Sequence, residues 1–134
     1  SCCLMSEEFK VEIVNPEKSF LSKEDVREVL VPAFEGEMGI LKDHIHLITF
    51  LRPGIIKIVS DKERNFFVEE GTVEFSNNNL LILTSTVREV SDLNNSMLES
   101  LLSEAERRIN SDEISDKEKY LLSYKISTLK NISQ

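Results

Sequence analysis

The sequence predicts a β-rich domain, a sandwich or a barrel, followed by an antiparallel pair of helices. Three observations carry this. Apolar residues recur with period two in the first two thirds of the chain and with a period near 3.6 in the last third. Val, Ile, Phe and Thr concentrate in the first part, as pleated, half-buried strands favour. All four Gly and all three Pro precede residue 91, and none follows. That shift places a boundary near SDLNN, 91–95. It divides the chain into a short N-terminal start (1–8), a sandwich domain (9–90) and a helix-loop-helix domain (91–134).

Each element has its own justification. Phe9, Val11 and Ile13 alternate with Lys10 and Glu12, the pattern of a strand with one face buried. Val26, Glu28 and Leu30 interleave with Arg27, Val29 and Val31. VPAFEGEMGIL, 31–41, is too apolar for a solvated loop and too rich in glycine for an uninterrupted strand, which predicts a constrained turn around Glu35, Gly36, Glu37, Met38 and Gly39. Ile55–Val59 reads as a strand, DKERN (61–65) as a turn, and Phe66–Glu69 as the strand resuming. Val73 and Phe75 lead into the turn triplet Asn77-Asn78-Asn79, and Leu80–Thr84 follows. Short strands punctuated by turn signals every ten or so residues suit a sandwich or barrel.

In the last third, Met97, Leu98, Leu101, Leu102, Ala105 and Ile109 make one helical stripe, with Ser91 or Asp92 as its cap. NSDEIS, 110–115, breaks it. Ser115 with Glu118 three residues on is a capping-box pattern, and Leu121, Leu122, Ile126, Leu129 and Ile132 supply a second stripe. Each stripe holds few apolar residues, worth roughly 1.5–3 kcal/mol apiece when fully buried, against about 1–2 kcal/mol per residue for ordering the backbone. The hairpin is therefore expected to need the sandwich or a partner, which makes it a candidate switch.

Composition excludes several classes of function. A formal net charge of −8 argues against nucleic acid, which requires a basic face, and against adsorption to anionic lipid. No apolar run approaches 18 residues, so direct lipid insertion is not expected. No leader or transit pattern is visible. Cys2 and Cys3 are adjacent and precede Met5, which reads as the natural start, with SCCL, 1–4, as a tag remnant.

Motifs for catalysis are missing. His44 and His46 would share one face of a strand, a geometry that suits a metal, yet Phe50 and Leu51 occupy the positions where a cupin-type site needs Glu. A small metal- or ligand-binding module using His44 and His46 is the competing reading. Glu35 and Glu37 have no nucleophile or electrophile motif beside them, which favours docking groups over an acid/base pair. No P-loop, GxGxxG, HExxH or GxSxG occurs. Lys119, Lys125 and Lys130 make the second helix basic toward its end, suited to the helix dipole or to an acidic partner surface.

VPAFEGEMGILKDHIHLITFLRPGIIKI (31–58) and VEEGTVEFSNNNLLILT (68–84) resemble the epsilon-subunit family of F-type ATP synthases, called delta in mitochondria. The likeness lies in an EGxxGIL-like turn, the family's Gly-His position, an L-x-P-G before a strand, and a glycine hairpin followed by an N-x-(V/L)-x-(V/I)-L strand. It is strong through residue 84 and only architectural in the helices. The resemblance implies a ten-stranded β-sandwich with a C-terminal helix-loop-helix. It implies a non-catalytic rotor subunit without a cofactor, coupling the gamma subunit to the c ring on the cytoplasmic face of a bacterial inner membrane. It places Glu35, Gly36, Glu37, Met38, Gly39 and His44 at the c ring. In many members the helices leave the sandwich, extend along gamma and impede ATP hydrolysis. Arg107, Arg108, Lys119, Lys125 and Lys130 would then face the alpha and beta subunits. There are departures. Lys42-Asp43 stands where the family has Pro-Gly before His44, and His46 where it has Pro. ISDKEKY, 114–120, lacks the Arg-Ala of the (I/L)DxxRA motif, which argues against regulatory ATP binding. The thin basic content of the second helix argues against strong inhibition.

Overall fold

Alternation of apolar and polar residues builds ten strands in two five-stranded sheets, and the glycine-free segment builds two helices. The computed structural model describes residues 7–133. The expectations about Cys2, Cys3, Met5 and the first four residues lie outside the described residues. The strands are β1 (Phe9–Asn15), β2 (Lys18–Val26), β3 (Glu28–Ala33), β4 (Gly36–Ile40), β5 (Leu47–Phe50), β6 (Gly54–Val59), β7 (Glu63–Val68), β8 (Thr72–Ser76), β9 (Asn79–Leu83) and β10 (Arg88–Glu89). The helices are α1 (Asn95–Ile109) and α2 (Asp116–Ile132). Sheet one runs β2-β1-β9-β8-β5 and sheet two β10-β7-β6-β3-β4. Among the described residues only β1 and β9 pair in parallel; every other strand pair there is antiparallel.

The inner faces meet in one core. Val11, Ile13, Val73, Phe75 and Ile82 of sheet one pack against Val29, Val31, Ile56, Ile58 and Phe66 of sheet two. The rings of Phe9 and Phe75 meet edge to face at 5.6 Å between centroids. A second cluster forms on the outer face of sheet two. There Phe67 packs with Leu98 of α1 and Leu129 of α2, supported by Ile55, Leu101, Leu102 and Ile132. The run Phe66-Phe67-Val68 shows no alternation because it is buried on both faces.

The structure corrects several local expectations. The glycine-rich stretch is mostly strand. Only Phe34 and Glu35 turn, and β4 pairs with β3 from Ala33↔Gly36 to Val29↔Ile40. The DKERN turn is shorter than expected, since β7 begins at Glu63. Asn77 and Asn78 form a two-residue turn at φ 52° and 59°, the left-handed geometry that tight hairpins need, and Asn79 is already in β9. The period around Val26 is broken at Arg27, where the chain passes from β2 in sheet one to β3 in sheet two; Val26, Val29 and Val31 are all buried. The cap of α1 is Asn94, whose side chain accepts from the Met97 amide, and not Ser91 or Asp92, which belong to a turn at Val90–Asp92. Ser115 does cap α2, accepting from the Glu118 amide at 3.1 Å.

Candidate functional site

The predicted docking residues do not form one cluster. Glu35 and Gly36 lie at the β3–β4 turn, where the Phe34 amide donates to the Phe50 carbonyl at the end of β5. His44 lies in the 41–46 connection, before β5 begins at Leu47. The length of β5, with about 3.3 Å per residue, separates the two. Glu35, Glu37 and Gly39 are exposed, whereas Met38 is half-buried against the main core. Turn and histidine are thus two places on the molecule.

The two glycines of the stretch do different work. Gly36 has φ +150° with no atom within 4 Å of where a Cβ would stand, so its requirement is torsional. Gly39 has an ordinary backbone, and a Cβ there would meet two flexible side-chain ends, Leu30 Cδ2 at 3.3 Å and Glu28 Oε2 at 4.0 Å. Gly36→Ala is expected to destabilise the chain by about 1–2 kcal/mol, and Gly39→Ala by less than about 0.5 kcal/mol. Denaturant unfolding of both variants measures the difference, and equal effects would contradict this division.

The histidines do not share a strand face. Both sit in the irregular connection before β5. His44 Nδ1 is 2.8 Å from the Ile45 carbonyl oxygen, and its ring meets the edge of Phe75 at 5.9 Å. His46 Nε2 is 3.7 Å from Glu74 Oε2, both groups well exposed. Among the described residues, no group of three His, Cys, Asp or Glu side chains could hold a metal. The connection is stapled to the β8–β9 turn: the Asp43 amide donates to Asn78 Oδ1 at 2.7 Å, and Asn78 Nδ2 donates back to Asp43 Oδ1 at 3.0 Å.

A surface that sequence reasoning missed lies on the outer face of sheet one. Ile48 and Phe50 of β5 are 65% and 64% exposed, with Ile45 at 78% beside them. Across the sheet, Phe50 stands opposite Thr72, Thr72 opposite Leu83, and Leu83 opposite Val14, so a row interrupted in polarity only by Thr72 crosses four strands, while Ile48 stands opposite Glu74 in the next row. The signal was present in HLITFL, where apolar residues occupy both phases of a short strand. Apolar side chains contiguous on an otherwise charged monomer mark an interaction surface.

The opposite face is covered by the chain's own helices. Their basic residues are largely engaged. Arg108 donates two bonds to Glu118 across the helix pair at 2.7 and 3.0 Å, which holds the Glu118 carboxyl below its usual range and raises the guanidinium. Arg107 pairs with Glu104, and Lys130 Nζ lies 3.9 Å from Glu106. Lys125 Nζ donates to Glu69 of the sandwich at 2.7 Å. Lys119 is exposed. Arg64 of β7 forks onto Glu89 of β10 at 2.8 and 2.9 Å, lowering the Glu89 carboxyl and pinning the last strand before the helices. Between β4, β6 and α2 lies an open cleft of about 380 Å³, lined by Glu37, Arg52, Tyr124, Thr128 and Asn131 among others. No described helix is long and apolar enough to cross a membrane.

Comparison with known proteins agrees with this architecture. The family described as ATP synthase, Delta/Epsilon chain, beta-sandwich domain matches residues 8–90. The ATP synthase epsilon chain of Pelagibacter ubique (strain HTCC1062) is 59% identical over 130 residues, covering 96% of this chain and 100% of that one. The epsilon chain of Hydrogenobaculum sp. (strain Y04AAS1) is 32% identical over 114 residues, covering 82% and 83%. A chain in the Euglena gracilis mitochondrial ATP synthase OSCP/F1/c-ring structure has the same fold, with a TM-score of 0.78 at 17% identity over 95% of this chain and 82% of that one. A chain in the Tetrahymena thermophila mitochondrial ATP synthase central stalk/c-ring structure gives 0.59 at 16% identity, covering 92% of each. Two five-stranded sheets followed by a helical pair, with sequence identity of this extent along nearly the whole chain, make the protein a member of the delta/epsilon family of ATP synthase subunits.

Proposed function

We propose that the chain is a non-catalytic central-stalk subunit that couples the gamma subunit to the c ring during proton-driven ATP synthesis, peripheral to the cytoplasmic face of a bacterial inner membrane. One observation carries this reading: the sandwich has two unlike outer faces. Sheet two is occupied by the chain's own helices, while sheet one is bare and apolar along Ile48, Phe50 and Leu83. Gamma is assigned to the bare face. The c ring is assigned to the β3–β4 turn, where Glu35 and Glu37 are exposed and suited to polar loops. His44, separated from that turn by β5, goes with the gamma face, whose Ile45 adjoins it.

The helices are assigned a lesser role. In the docked state Arg107, Arg108, Lys125 and Lys130 pair within the chain, so contact with the alpha or beta subunits requires those pairs to break. This supports a weak brake on hydrolysis at most. The absence of Arg-Ala in 114–120 supports a hairpin that works without bound nucleotide.

Mixing the purified chain with its gamma subunit tests the assignment. Equimolar co-elution in size-exclusion chromatography is expected, with no ATP hydrolysis by the chain alone. A folded chain with no affinity for gamma overturns the reading.

A further inference from the structure

Besides the Lys125–Glu69 ion pair, the hairpin touches the rest of the molecule in two ways. One is apolar and thin: of the hairpin's described residues, only Leu98 and Leu129 are buried in the cluster with Phe67. The other is a polar and aromatic latch at the start of α2. Tyr120 Oη donates to the Phe34 carbonyl at 2.6 Å and accepts from Arg52 Nη1 at 3.1 Å. The Arg52 guanidinium lies 3.8 Å from the centre of the Tyr124 ring, and Tyr120 packs on both Phe34 and Tyr124 with centroids 5.0 Å apart. The Arg52 amide donates to the Pro32 carbonyl at 2.9 Å, so the arginine is itself held to β3.

The acceptor in this latch decides its meaning. Phe34 is the first of the two residues that turn β3 into β4, and Glu35 is the second. The same residue is also tied to β5, the Phe34 amide donating to the Phe50 carbonyl at 2.8 Å. The hairpin is therefore hydrogen-bonded to the backbone of the turn that carries the exposed carboxylate. Movement of the Phe34 carbonyl changes the Tyr120 bond, and departure of α2 removes one of the bonds that hold the turn, leaving the Phe34 amide on Phe50 and the β3–β4 pairing.

We propose that the Phe34–Glu35 turn and the helical hairpin are thermodynamically linked through Tyr120, so that a polar loop seated on the turn shifts the docking of the hairpin. The linkage within the chain stands on its geometry. Its use in the assembly rests on the reading of the turn as a ring contact. Reciprocity follows: whatever factor docking adds to affinity at the turn, occupancy of the turn adds to docking. A partner that holds the turn as it stands favours the docked hairpin, and one that takes the Phe34 carbonyl favours release.

Amide hydrogen exchange across α2 in the full chain tests the linkage. Tyr120→Phe keeps the aromatic packing and removes both hydroxyl bonds. It is expected to raise hairpin opening about fivefold, the shift given by a net contribution of about 1 kcal/mol. Glu35→Gly loosens the turn without touching the hairpin. It is expected to raise opening about twofold in the native background and not at all with Tyr120→Phe, the non-additivity of a coupled pair. Exchange in β1 and β9 reports that the sandwich is intact. Should Glu35→Gly disturb it, the Gly36 amide resonance is read instead in Tyr120→Phe, where a shift is expected. Opening unchanged in Tyr120→Phe, an equal effect of Glu35→Gly in both backgrounds, or an unmoved Gly36 resonance overturns the proposal. Assembly of a Glu35→Lys/Glu37→Lys chain with the gamma–ring complex is the separate test of the ring contact. Normal assembly there, with the coupling intact, removes the ring reading and leaves the linkage.

Discussion

Gly71→Ala is expected to lower stability by about 3 kcal/mol and the melting temperature by roughly 10 °C. Gly71 stands where the chain leaves β7 of sheet two for β8 of sheet one. Its φ is +146°, a region nearly closed to side-chain-bearing residues. A Cβ there would lie 2.3 Å from the Leu83 carbonyl oxygen, 3.0 Å from Thr84 Cβ and 3.2 Å from Leu51 Cδ1. None of these can retreat easily. The Leu51 amide donates to the Gly71 carbonyl at 2.9 Å, Thr84 Oγ1 donates to the Glu70 carbonyl at 2.6 Å, and Leu83 is paired with Thr72. Torsional strain of about 1–3 kcal/mol adds to an overpacking cost of similar size. Thermal unfolding followed by circular dichroism measures the sum. A loss below about 1 kcal/mol would mean that the passage between sheets yields, contrary to the bonds that pin it.

What the sequence revealed about this molecule depended on whether a residue's neighbours were local. The alternation of Phe9, Val11 and Ile13 and the Ser115–Glu118 cap were legible because strand pleat and helix turn impose them within a few residues. The two helices were legible because Gly and Pro, which interrupt helices, vanish after residue 91. β4 was not. Its Gly39 sits on the exposed side of an edge strand, where a missing side chain costs little packing, so glycine there did not mean a turn. β2 and β10 lack a clean period, one being largely exposed and the other two residues long; the count of ten strands came from the family resemblance. The latch was invisible for a different reason. Arg52 and Tyr120 are 68 residues apart, and nothing in the local pattern of either signals the other. The exposed row was hidden likewise, since Phe50, Leu83 and Val14 come into line only when β5, β8, β9 and β1 pair.

That row carries the prediction with the largest functional effect. Ile48→Lys combined with Phe50→Lys is expected to weaken gamma binding at least about a hundredfold while leaving the fold intact. Both side chains stand largely in water in the free chain, so their removal opens no cavity. Ile48 faces Glu74 across the β5–β8 ladder, which gives a lysine at that position an opposite charge to meet. In the complex the balance reverses. Each large apolar side chain newly covered contributes roughly 1.5 kcal/mol or more. Two together supply about 3 kcal/mol, or two decades of affinity, before the cost of burying unpaired ammonium groups. Ser127→Lys, on the exposed side of α2, is the matching control and should leave binding unchanged. Titration calorimetry with the gamma subunit distinguishes the faces. Affinity within threefold of the native chain after Ile48→Lys/Phe50→Lys, or a large loss from Ser127→Lys, would move gamma to the helical side. A loss from Ser127→Lys would put gamma on the exposed side of the docked α2, whereas a gamma site on sheet two itself would require the hairpin to leave first, exposing Phe67 and Ile55 and breaking the Tyr120 latch.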